Sequence, residues 1–371
     1  MRIIDRYISQ QVVTTGLFAV GVLSLVLVLG NVFKKLLDLL VNQDVPLQLI
    51  LTFIEFIIPF SLTFTIPWGF LTAVLLVFGR LSAENELIAL RSNGVSVPRI
   101  CIPVFVISVI CVGICFWINV EVAPTAEKQM DMAVYHMATS DPLALFSSDK
   151  VIDDFPNELI YVEKKHGANL QDIMMYTLND RGQPTLEVHA QKGRLTTELT
   201  GDPQIILHLE NAQYVQHNSE KPDNPTLNEP GITTKGNDLA ISLQALYDKN
   251  FKKRRPSQLT LSELLKKEVE NGINNQQLSV IKEETNKRFS MSLAAFAFCL
   301  IGVPLAITAH RKETSVGFMI SLAVAFIYFM FIVMVGWVKA DPKFHPELLI
   351  WLPNVVFITL GAILFYRMSR R

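Results

Sequence analysis

The chain has 371 residues, of which 50% are hydrophobic and only 18% are charged, with a mean hydropathy of +0.33. Soluble domains usually carry about 25% charged residues, so this composition favours a membrane protein. The formal net charge of −1 and the isoelectric point near 6.7 argue against a nucleic-acid-binding protein, which would have an excess of basic residues.

Six apolar segments are long enough to cross a bilayer, which requires roughly 20 apolar residues with few charges. They cover residues 7–33, 56–79, 100–120, 289–309, 314–338 and 348–366. A long polar block, residues 121–288, separates the third segment from the fourth. The sequence therefore predicts an α-helical membrane protein with three spans on each side of an extramembrane domain.

Basic residues in the short connections are unevenly divided between the two sides of the membrane. Since cytoplasmic loops carry the excess of Lys and Arg, both termini are predicted to be cytoplasmic. The polar block then lies outside, which in a bacterium is the periplasm. The predicted inner side has Arg2, Arg6, Arg80, Arg91, Arg99, Arg311, Lys312, Arg367, Arg370 and Arg371, and the outer side has Lys34, Lys35, Lys339 and Lys343.

The polar block begins with a helical pattern over 123–138 and then alternates apolar and polar residues with a period of two. This alternation covers residues 158–165, 172–180, 185–199, 204–217 and 238–243. It predicts a half-buried antiparallel sheet, either a sandwich or an open barrel. A loop rich in Pro and Asn is predicted over 218–231. Thr260 and Glu263 are spaced as a capping box, and a helix over 276–288 is expected to continue into the fourth span.

No motif for enzymatic chemistry is present in the sequence. It contains no Walker A motif, no H-E-x-x-H and no G-x-S-x-G. The cysteines lie inside apolar runs, without disulfide or zinc spacing, and no cofactor or metal is expected. Histidines on the predicted strands are interpreted as ordinary surface or core residues. The residues in question are Cys101, Cys111, Cys115 and Cys299, and His189, His208 and His217.

The connection between the second and third spans, residues 79–100, predicts a short amphipathic helix that ends at Gly94 and is followed by Pro98. Its expected apolar face consists of Leu81, Leu87, Ile88 and Leu90. Two interpretations remain open. The segment is either a solvated turn or a helix that docks a cytoplasmic protein through Glu84, Glu86 and Arg91.

Lys34 and Lys35 follow the first span at its outer end. They are either lysines that extend to the membrane interface or a site for an anionic lipid head group. Glu55, at the start of the second span, is a weaker candidate of the same kind.

Four segments in order along the chain resemble the LptF/LptG family, the permease subunits of the ABC transporter that exports lipopolysaccharide. They are residues 80–96, "RLSAENELIALRSNGVS", residues 283–307, with Lys287-Arg288 and Gly302-x-Pro304, residues 315–329, and residues 351–357, "WLPNVVF". The resemblance covers essentially the whole chain. Residues 41–51 and Glu84-x-Glu86 are more similar to the LptF subunit than to its paralogue.

The resemblance implies a domain division and a set of partners. Residues 1–121 would hold spans one to three with a coupling helix near 80–95, residues 122–285 a periplasmic β-jellyroll with flanking helices, and residues 286–371 spans four to six. Glu84, Glu86 and Arg91 would contact a cytoplasmic LptB-like ATPase dimer, where ATP hydrolysis would occur. An LptG-like permease, a single-span LptC-like protein and an LptA-like bridge would complete the path.

The same resemblance implies that lipopolysaccharide enters between span one of one permease and span five of the other. Lys34 and Lys35 would then face its phosphates. Two other functions are compatible with the residues alone. One is a membrane-anchored periplasmic assembly or signalling scaffold. The other is a secondary transporter, although this class favours ionisable groups deep within spans, and the span centres here have none.

Overall fold

The computed structural model describes residues 3–40, 47–140, 146, 148–152, 157–179, 183–198, 204–217, 229–233, 237–242, 255–270, 272–308 and 314–370. Its helices are α1 (Ile3–Leu40), α2 (Leu47–Ala83), α3 (Glu86–Ser92), α4 (Val97–Trp117), α5 (Ala123–Ser140), α6 (Leu261–Val269), α7 (Asn275–Thr308), α8 (Thr314–Val338), α9 (Pro346–Leu349) and α10 (Leu352–Arg370). A π-helical turn, Ile118–Val122, joins α4 to α5, and 3-10 turns at Pro256–Gln258 and Pro342–Phe344 precede α6 and α9.

Within this described part of the chain, six helical segments are long and apolar enough to cross a membrane. They are Ile3–Gly30, Ile54–Ala83, Val97–Ala133, Asn275–Thr308, Val316–Val338 and Pro346–Arg370. The prediction of six apolar helices is therefore confirmed. The helical pattern over 276–288 does continue into the fourth of them, because α7 begins at Asn275 and runs without a break to Thr308.

The chain divides into two compact units. The helical unit consists of Met1–Asn31, Ile54–Lys128 and Arg255–Arg371, and contains the apolar segments except residues 129–133 at the end of the third. The sheet unit consists of Val32–Phe53 and Gln129–Arg254, and contains the strands.

Helices α2 and α7 form the centre of the helical unit, since 67% of the most apolar stretch of each is buried, against 17% for α1. Glycines allow neighbouring helices to approach closely. A methyl group at Gly69 of α2 would lie 2.9 Å from the backbone nitrogen of Val20 in α1. A methyl group at Gly361 of α10 would lie 2.8 Å from the carbonyl carbon of Leu300 in α7. Any larger residue at these positions would push the helices apart.

The strands form one antiparallel sheet in the order β1-β2-β3-β4-β5-β6, with β7 also paired to β5. Their bounds are β1 (Lys150–Ile152), β2 (Glu158–His166), β3 (Asn169–Leu178), β4 (Pro184–Glu198), β5 (Gln204–Gln216), β6 (Glu229–Thr233) and β7 (Asn237–Ser242). The long strand β5 pairs with β7 over residues 204–209 and with β6 over 212–216. The predicted alternation thus corresponds to a separate antiparallel sheet.

One face of the sheet is almost completely buried, as the period-two pattern requires. Its core includes Ile160, Val162, Ile173, Ala190 and Leu207, each at most 1% exposed. Gly193 of β4 lies directly over Ile173, where any side chain would collide with the Cδ1 atom of that residue.

The prediction of a loop over 218–231 is wrong at its end, because β6 begins at Glu229. Residues 218–228 lie outside the described residues. Pro230 stands opposite Val215 of β5. A proline has no backbone N–H for a ladder, so it occurs in edge strands. Among the described strands, β6 pairs with β5 alone, which is consistent with such an edge.

Candidate functional site

The predicted docking residues lie between α2 and α4, where the structure has a turn and a short helix. Helix α2 continues through Ala83, and Asn85 adopts a left-handed conformation with φ of 59°. Asparagine is one of the few residues that adopts this conformation readily. Helix α3 then covers Glu86–Ser92. The helix expected near 80–95 is therefore divided, and Glu84 lies in the turn before α3 rather than on it.

Helix α3 ends in a Schellman motif at Gly94. The amide of Val95 donates to the carbonyl of Leu90 at 3.1 Å, and the amide of Gly94 donates to the carbonyl of Arg91 at 2.9 Å. Gly94 has φ of 80°, which glycine adopts without steric cost. Gly94 is thus confirmed as the residue that ends the helix, and Pro98 lies in the first turn of α4.

The apolar face of this segment is narrower than predicted. Leu81 and Leu87 are buried in the core of the helical unit, and Leu90 packs against it. Ile88, expected on the same face, is instead 58% exposed. The residue after Leu87 lies about 100° further round the helix, and in this structure that position lies outside the buried face. Ile88 is therefore available for a contact outside this chain.

The charged candidates differ in their surroundings. Glu84 and Arg91 are exposed, whereas Glu86 is half-buried. The hydroxyl of Tyr7 in α1 donates to Oε2 of Glu86 at 3.2 Å. Nearby, Nη2 of Arg99 in α4 lies 2.9 Å from Oδ2 of Asp5 in α1. Helix α1 therefore holds both Glu86 and the start of α4, and it fixes the position of the segment between them.

A cavity of about 260 Å³ adjoins α3. It brings together the ends of α2, α7 and α10 with α3 and the start of α4, and Ser82 donates to the carbonyl of Ile307 at 3.4 Å beside it. Its lining consists of Ser82, Ala83, Asn85, Leu87, Ile88, Arg91, Val97, Ile307 and Met368. The segment thus presents exposed charges next to a largely apolar depression, a combination that suits contact with a protein surface.

The lipid head-group candidates are less well defined. Lys34 and Lys35 fall within α1, but their side chains lie outside the described residues. Glu55 is exposed, near the start of α2.

Sequence reasoning named Lys287-Arg288 only as part of the family resemblance and did not predict the charged cluster that these residues form with Glu284 in α7. Glu284 accepts a hydrogen bond from Nζ of Lys287 at 3.1 Å and lies 3.5 Å from Nε of Arg288. Arg288 also donates through Nη2 to the carbonyls of Pro256 and Ser257, at 3.3 and 3.0 Å. The signal that could have identified this cluster is the spacing of three and four residues between opposite charges, directly before an apolar run.

Two histidines of the sheet have acidic neighbours that the sequence did not indicate. His208 bonds through Nδ1 to Asp238, and its Nε2 lies 2.7 Å from the hydroxyl of Thr196. Nε2 of His217 lies 3.6 Å from Glu187. The partners come from adjacent strands, so strand pairing brings together residues that are far apart in the chain. Within the described ranges, no three metal-ligating side chains form a group.

Comparison with known proteins agrees with this architecture. The family described as lipopolysaccharide export system permease LptF/LptG matches residues 6–367. Relatives named lipopolysaccharide export system permease protein LptF, from Escherichia coli K12, Escherichia coli O157:H7 and Shigella flexneri, are each 19% identical over 368 residues. The alignments cover 98% of this chain and 94% of each relative.

The family match covers the helical unit and the sheet unit together, from the first apolar helix to the last. The six apolar helices are those of a multi-pass membrane protein. The resemblance to the LptF/LptG family is thereby confirmed. The chain belongs to the LptF/LptG family, the permeases of the lipopolysaccharide export system.

Proposed function

We propose that this chain is the LptF-type permease subunit that extracts lipopolysaccharide from the inner membrane and passes it to a periplasmic bridge. The observation that carries the proposal is the family match over residues 6–367. It is supported by relatives named LptF that align over 98% of the chain. Permeases of this kind do not hydrolyse ATP themselves. The energy would come from a separate cytoplasmic ATPase dimer of the LptB type.

The proposed organisation has three spans on each side of a jellyroll. Residues 1–121 would hold spans one to three, residues 122–285 the periplasmic domain, and residues 286–371 spans four to six. A jellyroll is supported by the buried face of the sheet, since one layer with so many fully buried residues must be covered or must curl over itself. Ten basic residues against four support cytoplasmic termini.

The lipid path would run along α1 and α8. Both helices leave much apolar surface uncovered, with 17% of the α1 span and 28% of the α8 span buried. Phe18 of α1 and Phe326 of α8 are among the most exposed of these side chains. Such surfaces suit acyl chains and a second, LptG-like permease. Lys34 and Lys35 would face the phosphates of the head group, where each lysine near an anionic surface contributes about 1 kcal/mol.

Coupling to the ATPase would occur through Glu84, Glu86 and Arg91. Glu84 and Arg91 are exposed, and Glu86 is held in place by Tyr7. Ile88 and the neighbouring cavity would add an apolar contact to these charged ones. A single-span LptC-like protein and an LptA-like bridge would receive the lipid from the jellyroll.

The test is purification of the tagged chain from membranes in detergent, followed by identification of bound proteins and lipid. The proposal predicts an ATPase, a paralogous permease and lipopolysaccharide in the same complex. Recovery of periplasmic proteins alone, without an ATPase or lipid, would instead favour an assembly or signalling scaffold. The proposed orientation is tested with the variant Asn224→Cys, made in a form of the protein without its native cysteines. Intact cells that express it are treated with a membrane-impermeant thiol reagent, which should label residue 224. Labelling only after lysis would contradict it.

A further inference from the structure

Along the sequence, the chain leaves the helical unit after Lys128 and returns to it at Arg255. We call the residues just before Lys128 the exit connection and those just after Arg255 the returning connection. The structure joins these two connections to each other. The hydroxyl of Ser257, just after the return, donates a hydrogen bond of 2.9 Å to Oε1 of Glu127, just before the exit. Residues that are 130 positions apart are thus held side by side.

Arg288 of α7 also holds the returning connection, the segment that returns from the sheet unit. Its Nη2 donates to the carbonyls of Pro256 and Ser257 at 3.3 and 3.0 Å, and its Nε lies 3.5 Å from Oε1 of Glu284. A guanidinium presents several donors in a rigid plane, so one arginine can hold a carboxylate and two carbonyls at once. The ammonium of a lysine has its donors on one nitrogen, whereas here Nε of Arg288 meets Glu284 and Nη2 meets the two carbonyls.

This arrangement is buried and electrically balanced. The side chain of Arg288 is only 4% exposed, and that of Glu284 is 13% exposed. Burying charges is costly unless each has a partner. The carboxyl groups of Glu127, Glu283 and Glu284 lie near the positive charges of Arg288 and Lys287. Paired charges that are buried directly before an apolar run mark a functional candidate.

The exit connection has its own contact with α7. The π-helical turn Ile118–Val122 contains Asn119, whose Nδ2 donates to the hydroxyl of Ser292 at 3.2 Å. π-turns are rare and occur often at functional positions. A cavity of about 70 Å³ lies beside this turn and is lined by Asn119, Glu127 and Arg288, together with residues of α2. Within the described residues, Nη1 of Arg288 has no hydrogen-bond partner.

We propose that Arg288, Glu284, Ser257 and Glu127 form a clamp that fixes both connections to α7, so that movement of α7 during transport reaches the two connections together. Arg288 is a positioning residue in this inference, because it acts through Pro256, Ser257 and Glu284 and not on the lipid. The inference rests on the proposed function, since it assigns the clamp a role in lipopolysaccharide extraction.

The first experiment compares Arg288→Lys with wild type in the complete transporter, reconstituted in vesicles that contain lipopolysaccharide. The variant keeps the charge but loses the planar contacts. We expect assembly with the ATPase and ATP hydrolysis within about twofold of wild type, and release of lipid per ATP reduced at least fivefold. Lys282→Gln, six residues earlier on the same helix, is the control and should release lipid normally.

A second experiment joins the two connections covalently. Glu127→Cys and Ser257→Cys are combined in a protein without its native cysteines, and a short bifunctional maleimide links them. The two substitutions remove the hydrogen bond between Ser257 and Glu127, so the unlinked protein should release less lipid than wild type. Because the clamp keeps these positions together throughout the cycle, linking them should restore release. Loss of release on linking would show that the connections must separate, and would overturn the clamp.

Other outcomes are equally decisive. Normal release by Arg288→Lys would overturn the clamp while leaving the proposed function intact. A fall in assembly, ATP hydrolysis and release in equal proportion would show that Arg288 supports only folding, which also overturns it. Absence of release by the wild-type transporter would overturn the proposed function, and the clamp with it.

Discussion

The hydroxyl of Tyr328 donates a hydrogen bond of 3.2 Å to Oδ1 of Asn354, and so links α8 to α10 inside the helical unit. Both residues are at most 1% exposed. Nδ2 of Asn354 donates to the carbonyl and the hydroxyl of Ser290 in α7, at 2.7 and 2.8 Å. Three apolar helices therefore meet at one group of polar side chains whose hydrogen bonds are directed at each other.

Tyr328→Phe should destabilise this junction. The change removes the donor to Oδ1 of Asn354 and leaves a buried acceptor unpaired, which costs about 1–3 kcal/mol. Thermal unfolding in detergent, followed by tryptophan fluorescence, should show a lower midpoint, because all four tryptophans, Trp68, Trp117, Trp337 and Trp351, belong to the helical unit. Tyr366→Phe, at a position that is 56% exposed, is the control. Equal midpoints for the two variants would contradict the role given to this hydrogen bond.

Glu84→Arg should weaken association with the ATPase and lower transport without affecting membrane insertion. An exposed ion pair is worth only about 0–1 kcal/mol, but a charge that faces its partner in a buried interface costs more to reverse. Co-purification of the ATPase with the tagged chain measures the effect. Glu270→Arg, a charge reversal at another exposed glutamate, should leave the yield of ATPase unchanged. Wild-type association by Glu84→Arg would favour a solvated turn.

The double change Lys34→Asp with Lys35→Asp should weaken lipid crosslinking far more than either single change. Each lysine contributes about 1 kcal/mol at an anionic surface, so one alone is largely dispensable. A photocrosslinker at residue 36 reports the contact with lipopolysaccharide. Association with the ATPase should be unaffected, since it is proposed to occur on the other side of the membrane. Crosslinking at the wild-type level would show that the lysines are interface anchors only.

Glu158→Gln should remove a pH dependence from the sheet. Burial raises the pKa of Glu158, and among the described residues its Oε2 has no hydrogen-bond partner. The folded state therefore binds the proton more tightly than the unfolded state does. The pKa of Glu158 in the unfolded chain is about 4.3, and its pKa in the folded sheet is higher. The stability of the sheet should therefore fall as the pH rises from the first value through the second.

The glutamine variant keeps the shape without the charge, so the sheet should be more stable than wild type at pH 7 and similar to it at pH 4. Tryptophan fluorescence does not report on the sheet, because the tryptophans lie outside the sheet unit. Amide hydrogen exchange in β2 and β3 measures the stability of the sheet directly. Slower exchange at pH 7 in the variant is expected. Equal exchange in the two proteins at pH 7 would show that the carboxylate is solvated in the folded state.

Much of the fold was predictable because hydrophobic periodicity is a local property. The strand predicted over 204–217 is observed as Gln204–Gln216, and the capping box of Thr260 and Glu263 is present, with the amide of Thr260 donating to Oε2 of Glu263 at 2.9 Å. Gly94 ends α3 because glycine adopts a positive φ without steric cost, as its position after the helical pattern indicated. These features depend on a few neighbouring residues.

What the sequence did not predict depends on tertiary contacts. The bond from Ser257 to Glu127 and the pairing of His208 with Asp238 join residues whose spacing carries no pattern. The position of Glu84 in a turn follows from the left-handed conformation of Asn85, which divides one expected helix into two segments. The strand at Pro230 was missed because an edge strand tolerates residues that normally indicate a loop.

The most direct test of the account is ATP-driven release of lipopolysaccharide from vesicles that contain this chain, its paralogous permease and the ATPase. Release is measured by crosslinking of the lipid to a soluble periplasmic acceptor, with ATP, without ATP, and with the chain omitted. The account predicts transfer only when ATP and this chain are both present, and much less transfer for Glu84→Arg. Equal transfer in vesicles that lack the chain, or ATP-independent transfer in vesicles that contain it, would contradict the proposed role of this protein as an ATPase-coupled lipopolysaccharide permease.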